Sequence, residues 1–491
     1  MRDIIFTFFN YFVFFYTSML AIFFVTFAFL SFISLKRRKD YYVESYMRKT
    51  IKESPYTPGI SVIAPAFNEE KTIIDNVNSM LALEYPLFEV VIVNDGSTDS
   101  TLKKMIEHYE LIEVPYAYIE RIKTKPFRRL FKSSNPKYSR LIVVDKENGG
   151  TKADASNAGI NVSSYPYFIC TDVDCILEKY ALYRCISPII SSDKQVIAVS
   201  GTMLMANGCV VKDGQIVDVR TPRTPIPLFQ NLEYMRSYLI GKMGWSAING
   251  MPNVSGGFGL FDRSVAIAAG GYDGTSFAED MDLITRMVGY MCDFSRPYKI
   301  IQIPDTCCWT EGPPNLAMLY RQRTRWARGL FQTLNIHRKM IFKKTYKQMG
   351  LLTLPYMFVF EFLAPIIELT GLIVFIYLAF TGAVNWNTAW MIYLTIYTFC
   401  QFLSIVVIPY YYYVGMLYKR GYEYLWIIIA SILEPIFYHP IITFCSLRGY
   451  LSYLTNRDFK WKNMERKGFK QKEENTDDAE TSAMKPEPAT I

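Results

Sequence analysis

The chain begins with an uninterrupted apolar run: no charged side chain occurs between Asp3 and Lys36. A helix over residues 4–35 would measure about 48 Å at 1.5 Å per residue, more than the roughly 30 Å of a bilayer's hydrocarbon core. The run therefore predicts one long transmembrane anchor within residues 1–40. A cleaved signal peptide would have a shorter apolar core, so we expect the anchor to be retained. Four basic residues at 36–39 predict that this end is cytoplasmic.

A second apolar region, at residues 341–455, predicts a C-terminal membrane bundle with segments at 351–380, 390–414 and 425–445. Glu361, Glu368 and Glu434 fall inside these segments and could line a translocation path, because carboxylates at membrane depth usually face a cavity or protein. An interfacial helix over part of 351–363 would explain Glu361 equally well. Three full crossings after the anchor would place the basic residues of 448–467 outside, so we expect one segment to be interfacial or re-entrant.

The composition excludes several other classes of protein. Charged residues make up 20 % of the chain and hydrophobic ones 51 %, which excludes a disordered chain. The net charge of +8 is small for 491 residues and fits membrane-surface loops better than a nucleic-acid footprint, so we expect no nucleic-acid partner. The nine cysteines form no CxxC pair, and we expect reduced, mostly buried thiols.

Between residues 55 and 340 the pattern becomes that of a soluble α/β domain. An amphipathic helix is predicted at 71–83, and buried strands are predicted at 60–64, 89–94, 141–144 and 167–170. Alternating strands and helices imply a mostly parallel sheet. Ligands bind beyond the carboxyl ends of such strands, so the loops that start at Asn94 and Thr171 should carry the chemistry.

Two other stretches have a distinct composition. Residues 121–140 are basic and contain no acidic residue, which is typical of a solvated surface loop, or alternatively of a contact with anionic lipid head groups. Residues 456–491 are polar and predict a disordered tail.

Polar clusters at the ends of predicted strands are the candidate site residues. Asp95, followed by Gly-Ser, can accept hydrogen bonds from a base or ribose, although Asp-Gly-Ser is also ordinary turn chemistry. Asp172 and Asp174 should point the same way from an extended backbone and could share a divalent ion with a diphosphate. Asp280 opens a helical pattern, either as a helix cap or as a general base.

A further cluster has helical spacing. Gln322, Arg325 and Trp326 fall on one face of a helix at i, i+3 and i+4. An amide, a guanidinium and an indole on one face suit a sugar and a pyrophosphate, because arginine forks phosphate and tryptophan offers a flat apolar surface to a pyranose ring. A basic amphipathic helix on a membrane surface is the alternative.

Together these motifs resemble a known family. Pro-Ala-Phe67-Asn-Glu, Asp95-Gly-Ser, Asp172-x-Asp174, Ala-Glu-Asp280 and Gln322-x-x-Arg325-Trp326 occur in this order, and the loop at 146–159 contains Gly-Gly-Thr-Lys152-Ala-Asp-Ala. The chain is similar in these features to the processive family 2 glycosyltransferases, which are the cellulose, hyaluronan, chitin and poly-N-acetylglucosamine synthases. The resemblance covers roughly residues 59–340 and the flanking membrane segments.

The resemblance implies a nucleotide-diphospho-sugar transferase domain of the GT-A, Rossmann-like α/β class, flanked by transmembrane helices. It implies that Phe67 flanks the uracil, that Asp95 binds the nucleoside and that Lys152 approaches the nucleotide. Asp172 would contact UDP, Asp174 would hold Mg²⁺ or Mn²⁺, and Asp280 would be the base. Gln322, Arg325 and Trp326 would clamp the acceptor end and the diphosphate. The loop at 255–260 (Ser-Gly-Gly-Phe-Gly-Leu) resembles the family's acceptor-side loop.

The expected function is therefore that of an inverting hexosyltransferase of the cell membrane with a cytoplasmic catalytic domain. It would use UDP-N-acetylglucosamine or UDP-glucose to build and translocate a β-linked polysaccharide, with accessory membrane or envelope subunits as possible partners. Transfer of one sugar to a lipid carrier is an alternative, which the clamp argues against. A catalytically inert membrane scaffold or receptor is another, which the intact carboxylates argue against.

Overall fold

A computed structural model describes residues 2–41, 44–212, 214–415 and 418–455. The predicted disordered tail, 456–491, lies outside these residues. The helices, numbered in chain order, are α1 (Arg2–Tyr41), α2 (Glu44–Glu53), α3 (Ile73–Leu81), α4 (Thr101–His108), α5 (Lys152–Val162), α6 (Ala181–Ile190), α7 (Pro225–Arg236), α8 (Met243–Ala247), α9 (Arg263–Ala268), α10 (Glu279–Asp293), α11 (Leu316–Ile336), α12 (Leu354–Tyr356), α13 (Ala364–Phe380), α14 (Trp386–Ile405), α15 (Val407–Val414), α16 (Gly421–Leu433) and α17 (His439–Leu454).

The strands are β1 (Ile60–Ala66), β2 (Phe88–Asp95), β3 (Leu111–Glu113), β4 (Phe127–Ser133), β5 (Leu141–Lys146), β6 (Tyr167–Thr171), β7 (Ile176–Leu177), β8 (Gln195–Met205), β9 (Val210–Lys212), β10 (Gln215–Asp218), β11 (Phe258–Asp262) and β12 (Tyr298–Thr310). All but β9 and β10 form one sheet in the order β3-β4-β5-β2-β1-β6-β11-β8-β12-β7.

The centre of this sheet is parallel, as the sequence predicts. β1 pairs in parallel with β2 and β6, and β2 pairs in parallel with β5. The predicted strands at 60–64, 89–94, 141–144 and 167–170 are confirmed as β1, β2, β5 and β6, and the predicted helix at 71–83 as α3. Because these four strands run the same way, their carboxyl ends meet at one edge, and the loops that follow Asp95 and Thr171 lie there together.

The basic stretch at 121–140 is not a loop throughout, so that prediction is wrong for part of it. Residues Phe127–Ser133 form β4, which pairs antiparallel with β5. The Arg129 guanidinium contacts the buried Asp145 carboxylate at 2.8 Å. Exposed basic side chains are common near the edge of a sheet, where they discourage pairing with other chains.

Within the described residues, four helical segments are long and apolar enough to cross a membrane, judged by length and composition: Tyr11–Arg37, Met349–Phe380, Trp386–Val414 and Gly421–Leu454. The first belongs to a single continuous helix, α1, as predicted. Its second half packs against α8, where the rings of Phe27 and Trp245 lie 4.6 Å apart.

The segment at 349–380 consists of two pieces. Its first part, up to a bend at Leu363, packs beneath the sheet domain. Thr353 donates a hydrogen bond to the Gly250 carbonyl at 2.7 Å, and the rings of Tyr356 and Trp245 lie 5.1 Å apart. After the bend, α13 exposes most of its apolar side chains.

Two of the three carboxylates that the sequence predicts at membrane depth have basic partners. Glu368 lies 3.1 Å from His439, and Glu434 lies 2.7 Å from Arg236. These contacts account for both carboxylates without a translocation path. All nine cysteines are free thiols and seven are buried, which confirms the prediction.

Candidate active site

The loops after β1 and β2 are fastened to each other at the carboxyl edge of the sheet. Asn68 adopts a left-handed conformation (φ 57°), and its side-chain oxygen accepts a hydrogen bond from the Thr98 amide at 2.8 Å. The Glu69 amide donates to the Thr101 hydroxyl at 2.8 Å. The half-buried Phe67 is thus held on the loop that lies beside the one following Asp95.

Asp95 is held by a buried lysine that the sequence analysis missed. The Lys146 ammonium donates to Asp95 Oδ1 at 2.8 Å and lies 2.5 Å from Asp154 Oδ1. The amide of Gly149 donates to the same oxygen of Asp95 at 3.0 Å. Lys146 is fully buried, so its charge needs these partners, and they in turn fix the Asp95 carboxylate. The available signal was a lysine at the end of a buried strand whose first four residues are apolar.

Asp95 lies in a tight turn, and that turn is itself part of the candidate site. Gly96 has a φ of 65°, and a Cβ there would lie 2.7 Å from the backbone nitrogen of Asn148. The glycine is therefore required by the turn, which brings the 148–150 loop onto the Asp95 carboxylate.

Lys152 reaches the paired aspartates. Thr151 caps α5, because its hydroxyl accepts a hydrogen bond from the Asp154 amide. This cap starts the helix at Lys152, whose ammonium lies 2.7 Å from Asp172 Oδ1 and donates to the Gly256 carbonyl at 2.6 Å. Burial opposes the charge on Lys152, but Asp172 outweighs it and raises the pKa of Lys152 well above its ordinary value.

Asp172 and Asp174 follow β6 and lie close enough to share an ion. Ligand atoms of Asp172, Asp174 and Cys175 all lie within 4.8 Å of one another. Carboxylate oxygens suit Mg²⁺ and Mn²⁺, whereas a thiol is a softer ligand. The donor set therefore fits the predicted ion through the two aspartates.

The glycine loop at 255–257 joins the two sides of the site. The Gly256 carbonyl accepts from Lys152, while the Gly256 amide donates to Asp280 Oδ2 at 3.2 Å. The hydroxyl of Thr171 donates to the carbonyl of Gly257 at 2.9 Å. One residue, Gly256, therefore connects the Lys152–Asp172 pair with Asp280.

Asp280 is not the cap of its helix. The capping position of α10 is Ala278, and Asp280 is the second helical residue. Its Oδ2 accepts a hydrogen bond from the Gly256 amide and its Oδ1 accepts one from the Met281 amide in the first turn of the helix, so the carboxylate lies at the glycine loop without occupying the capping position.

The predicted face of Gln322, Arg325 and Trp326 lies on one helix, α11, as expected. This helix packs directly on the chain that enters α10. A Cβ on Gly329 would lie 2.6 Å from the Cβ of Ala278, and the Gln332 side chain accepts from the Phe277 amide at 2.9 Å. The close approach fixes α11 beside the start of α10.

Lys242 is a second residue that the sequence did not indicate. The segment 241–245 reads as an amphipathic surface segment, but Lys242 is only 7 % exposed, and Trp245 is also buried. Burial lowers the pKa of Lys242 to about 8, an effect that the charge of Asp280 partly offsets. Lys242 thus adds positive charge on the Asp280 side of the site.

The Glu279 side chain has a raised pKa whose effect on stability can be measured. Burial raises its pKa from 4.5 to about 7, with Lys152 lowering it and Asp280 raising it. A carboxyl group whose pKa is raised in the folded state contributes stability below its unfolded pKa and loses that contribution as the pH rises through 7. We therefore expect the thermal stability of Glu279→Gln, measured relative to that of the wild type, to be higher at pH 8 than at pH 5.

Thermal unfolding of the detergent-solubilised protein at both pH values measures this difference. Glu107→Gln is the matched control, because its side chain is 65 % exposed. Equal behaviour of the two variants would contradict the raised pKa of Glu279.

Comparison with known proteins places this site in a family. Residues 61–203 match the model of glycosyl transferase family 2, and residues 227–438 match that of glycosyl transferase family group 2. Together the matches cover well over half of the sequence, and the chain belongs to the family 2 glycosyltransferases.

Within the family, the chain is similar to two curated synthases. It is 29 % identical over 278 residues to the poly-β-1,6-N-acetyl-D-glucosamine synthase of Staphylococcus aureus strain COL, a match that covers 56 % of this chain and 55 % of the relative. The enzyme of the same name from Staphylococcus epidermidis is 28 % identical over 282 residues, which are 57 % of each chain. The chain thus spans a little over half the length of the curated relatives it matches.

Among solved structures, the fold is similar to that of a mannosyltransferase from Pyrobaculum calidifontis, determined in complex with GDP-Man and Mn²⁺. The TM-score is 0.50 at 16 % sequence identity, and the match covers 89 % of this chain and all of that one. The sheet domain therefore has the GT-A fold of nucleotide-sugar transferases, as predicted.

Proposed function

We propose that the protein is a membrane-integrated inverting glycosyltransferase that adds hexose units from a UDP-sugar to a growing β-linked glycan. The observation that carries the proposal is the pair of hydrogen bonds made by Gly256, whose carbonyl accepts from Lys152 of the Lys152–Asp172 pair and whose amide donates to Asp280. A transferase needs this arrangement, because the leaving diphosphate and the acceptor's base must flank the same anomeric carbon.

On the donor side, four residues act on the nucleotide in this proposal. Phe67 flanks the uracil, and Asp95, fixed by Lys146, accepts hydrogen bonds from the nucleoside. Lys152 and Asp172 lie at the diphosphate. The ammonium of Lys152 exchanges Asp172 for the phosphate oxygens when the donor enters, and so keeps a charge partner in both states.

Asp174, with Asp172, would hold Mg²⁺ or Mn²⁺ in this proposal. Such an ion, when bound, neutralises charge that grows on the departing UDP. The spacing of the two carboxylates supports this assignment. The protein's own contribution at this point is to keep both carboxylates at the end of one buried strand, β6.

On the acceptor side, Asp280 takes the proton of the attacking hydroxyl. Attack from the face opposite to the leaving UDP inverts the anomeric carbon, so an α-linked donor gives a β-linked product. Gln322, Arg325 and Trp326 hold the acceptor end and the diphosphate. Trp326 offers the flat surface for a sugar ring, and Arg325 the fork for phosphate.

We also propose a membrane topology in which residues 55–340 are cytoplasmic and the segment 421–454 lies along the inner surface of the membrane. Both ends of that segment contact the sheet domain and its helices. Glu423 lies 3.0 Å from Arg223, and at the other end Tyr453 accepts a hydrogen bond from Asn335 at 3.1 Å. A segment that crossed the bilayer would carry its two ends to opposite sides.

This topology leaves α1, α13 and α14–α15 as crossings, with residues 349–362 at the interface. It keeps the basic residues that follow Arg448 on the cytoplasmic side, in agreement with the positive-inside rule. Three crossings supply little wall for a polysaccharide path, so an accessory membrane subunit forms part of the proposal.

The relatives support a polymer product, since both matched synthases are named for poly-β-1,6-N-acetyl-D-glucosamine. UDP-N-acetylglucosamine is therefore the first donor to test. The test sizes the labelled product that the purified protein makes in lipid vesicles and extracts it with organic solvent. The proposal predicts a large, solvent-insoluble product. A small, extractable product would indicate transfer to a lipid carrier and would contradict the assignment of the clamp.

A further inference from the structure

A buried ion pair lies directly behind the clamp residues of α11. Arg323 is the neighbour of Gln322 and is only 6 % exposed. Its guanidinium makes two parallel contacts with the Glu233 carboxylate on α7, at 2.6 and 2.5 Å. Tyr438 closes the group, because its hydroxyl accepts from Arg323 at 2.8 Å and donates to Glu233 at 3.0 Å. We call Glu233, Arg323 and Tyr438 the clamp network.

The clamp network contacts the residues that would hold the acceptor. The guanidinium carbon of Arg323 lies 4.5 Å from the centre of a Trp326 ring, within the range of a cation–π interaction. One turn before Glu233, the side-chain amide of Gln230 donates to the side-chain oxygen of Gln322 at 3.2 Å. Helix α7 therefore holds both Gln322 and the support of Trp326.

The same helix, α7, also contacts the apolar helices of the C-terminal region. Arg236, one turn after Glu233, lies 2.7 Å from Glu434 and donates to the Ser404 hydroxyl on α14 at 2.6 Å. Glu434 and Tyr438 are the two ends of a π-helical segment that contains Pro435. Helix α7 thus contacts both ends of this π-helical segment: Arg236 binds Glu434 at one end, and Glu233 of the clamp network binds Tyr438 at the other.

Charge pairing makes this connection stiff. Burial opposes the charge on Glu233, but Arg323 outweighs it and lowers the pKa of the carboxyl group, so the pair is ionised. Arg323 is buried and the Glu233 side chain is 27 % exposed, so separating the pair would leave the buried guanidinium without its partner, and we expect the two side chains to move together. A displacement of the π-helical segment therefore displaces Arg323 and with it the Trp326 ring.

We infer that Glu233, Arg323 and Tyr438 are positioning residues that hold Gln322 and Trp326 on the terminal sugar of the acceptor and link that grip to the membrane helices. The inference rests on the proposed function. Its consequence concerns chain length: a looser grip releases the polymer sooner, while the donor site, built from the strand ends across Gly256, keeps its affinity for the nucleotide sugar.

The test uses Tyr438→Phe in the full chain, reconstituted in lipid vesicles. This variant removes one hydroxyl and leaves the two contacts between Arg323 and Glu233, so no buried charge loses its partner. The matched control is Tyr450→Phe on the adjoining helix, α17, since the buried Tyr450 donates to the backbone carbonyl of Glu361 and not to the network. Product length and the KM for the donor are measured for each protein.

We expect Tyr438→Phe, which loses two hydrogen bonds to a charged pair, to shorten the product about three- to tenfold at an unchanged donor KM. Tyr450→Phe should give products of wild-type length. Gln230→Leu, which removes the bond to Gln322 at similar volume, should shorten the product as well and provides a second test if Tyr438→Phe does not fold.

Equal product lengths for Tyr438→Phe and Tyr450→Phe, or a Tyr438→Phe defect that lies in the donor KM, would overturn the inference and leave the proposed function intact. A wild-type protein that makes no polymer from any UDP-sugar would overturn the proposed function and the inference with it.

Discussion

Asp280→Asn should abolish sugar transfer while leaving the donor bound. The amide occupies the same volume and can still contact the Gly256 amide through its oxygen, but it cannot take a proton from the acceptor hydroxyl. We expect the turnover number to fall about 10²- to 10⁴-fold, the usual contribution of a general base. The measurement is incorporation of labelled sugar, together with the affinity for the UDP-sugar in a direct binding assay.

The matched control for this variant is Asp293→Asn, because Asp293 is the last residue of the same helix and is exposed. It should retain wild-type turnover. If product formation survives in Asp280→Asn, the assignment of the base is wrong. If both donor binding and transfer are lost, Asp280 serves the donor site.

Asp174→Asn is the second substitution with a large expected effect. A neutral amide is a weaker ligand for Mg²⁺ or Mn²⁺ than a carboxylate, and the ion stabilises charge on the leaving diphosphate. We expect a loss of about a thousandfold in turnover at a fixed metal concentration, which corresponds to about 4 kcal/mol of transition-state stabilisation. Raising the metal concentration should restore part of it.

Asp193→Asn is the control, since Asp193 is 74 % exposed and contacts only a surface lysine, Lys299, among the ion pairs of the described residues. Its metal dependence should match that of the wild type. A turnover in Asp174→Asn that equals the control at every metal concentration would remove Asp174 from the metal site.

The parallel centre of the sheet could be predicted because its strands are short, apolar and bounded by turns. The same pattern fails for β4, where basic side chains on a strand near the edge of the sheet look like a loop. It also gives no warning of β11, which enters the sheet antiparallel between β6 and β8. Strand pairing of this kind is decided by tertiary contacts between distant segments rather than by local preference.

The residues of the candidate site also differ in whether the sequence indicates them. The sequence indicates Asp95, Asp172 and Asp280, because each stands at the end of a recognisable element. It does not indicate Lys146 or Lys242, whose importance comes from burial beside those carboxylates. Burial of a single lysine has no periodic signature, so only the folded chain reveals it.

The two readings of the clamp helix illustrate the same limit. The spacing places Gln322 and Trp326 on one face of α11, and the structure agrees. The intervening Arg323 would be expected on a basic, membrane-facing surface. It is buried against Glu233 instead, because α7, some 90 residues earlier in the chain, supplies a carboxylate at that position.

The proposed function depends most on one property, the metal-dependent transfer of sugar from a UDP-sugar by this chain. The direct measurement is incorporation from a panel of labelled UDP-sugars by the purified protein in lipid vesicles, with Mg²⁺, Mn²⁺ or EDTA. We expect incorporation from one donor, UDP-N-acetylglucosamine or UDP-glucose, that EDTA abolishes and either ion restores. Incorporation that is indifferent to EDTA, or none from any donor, would contradict it.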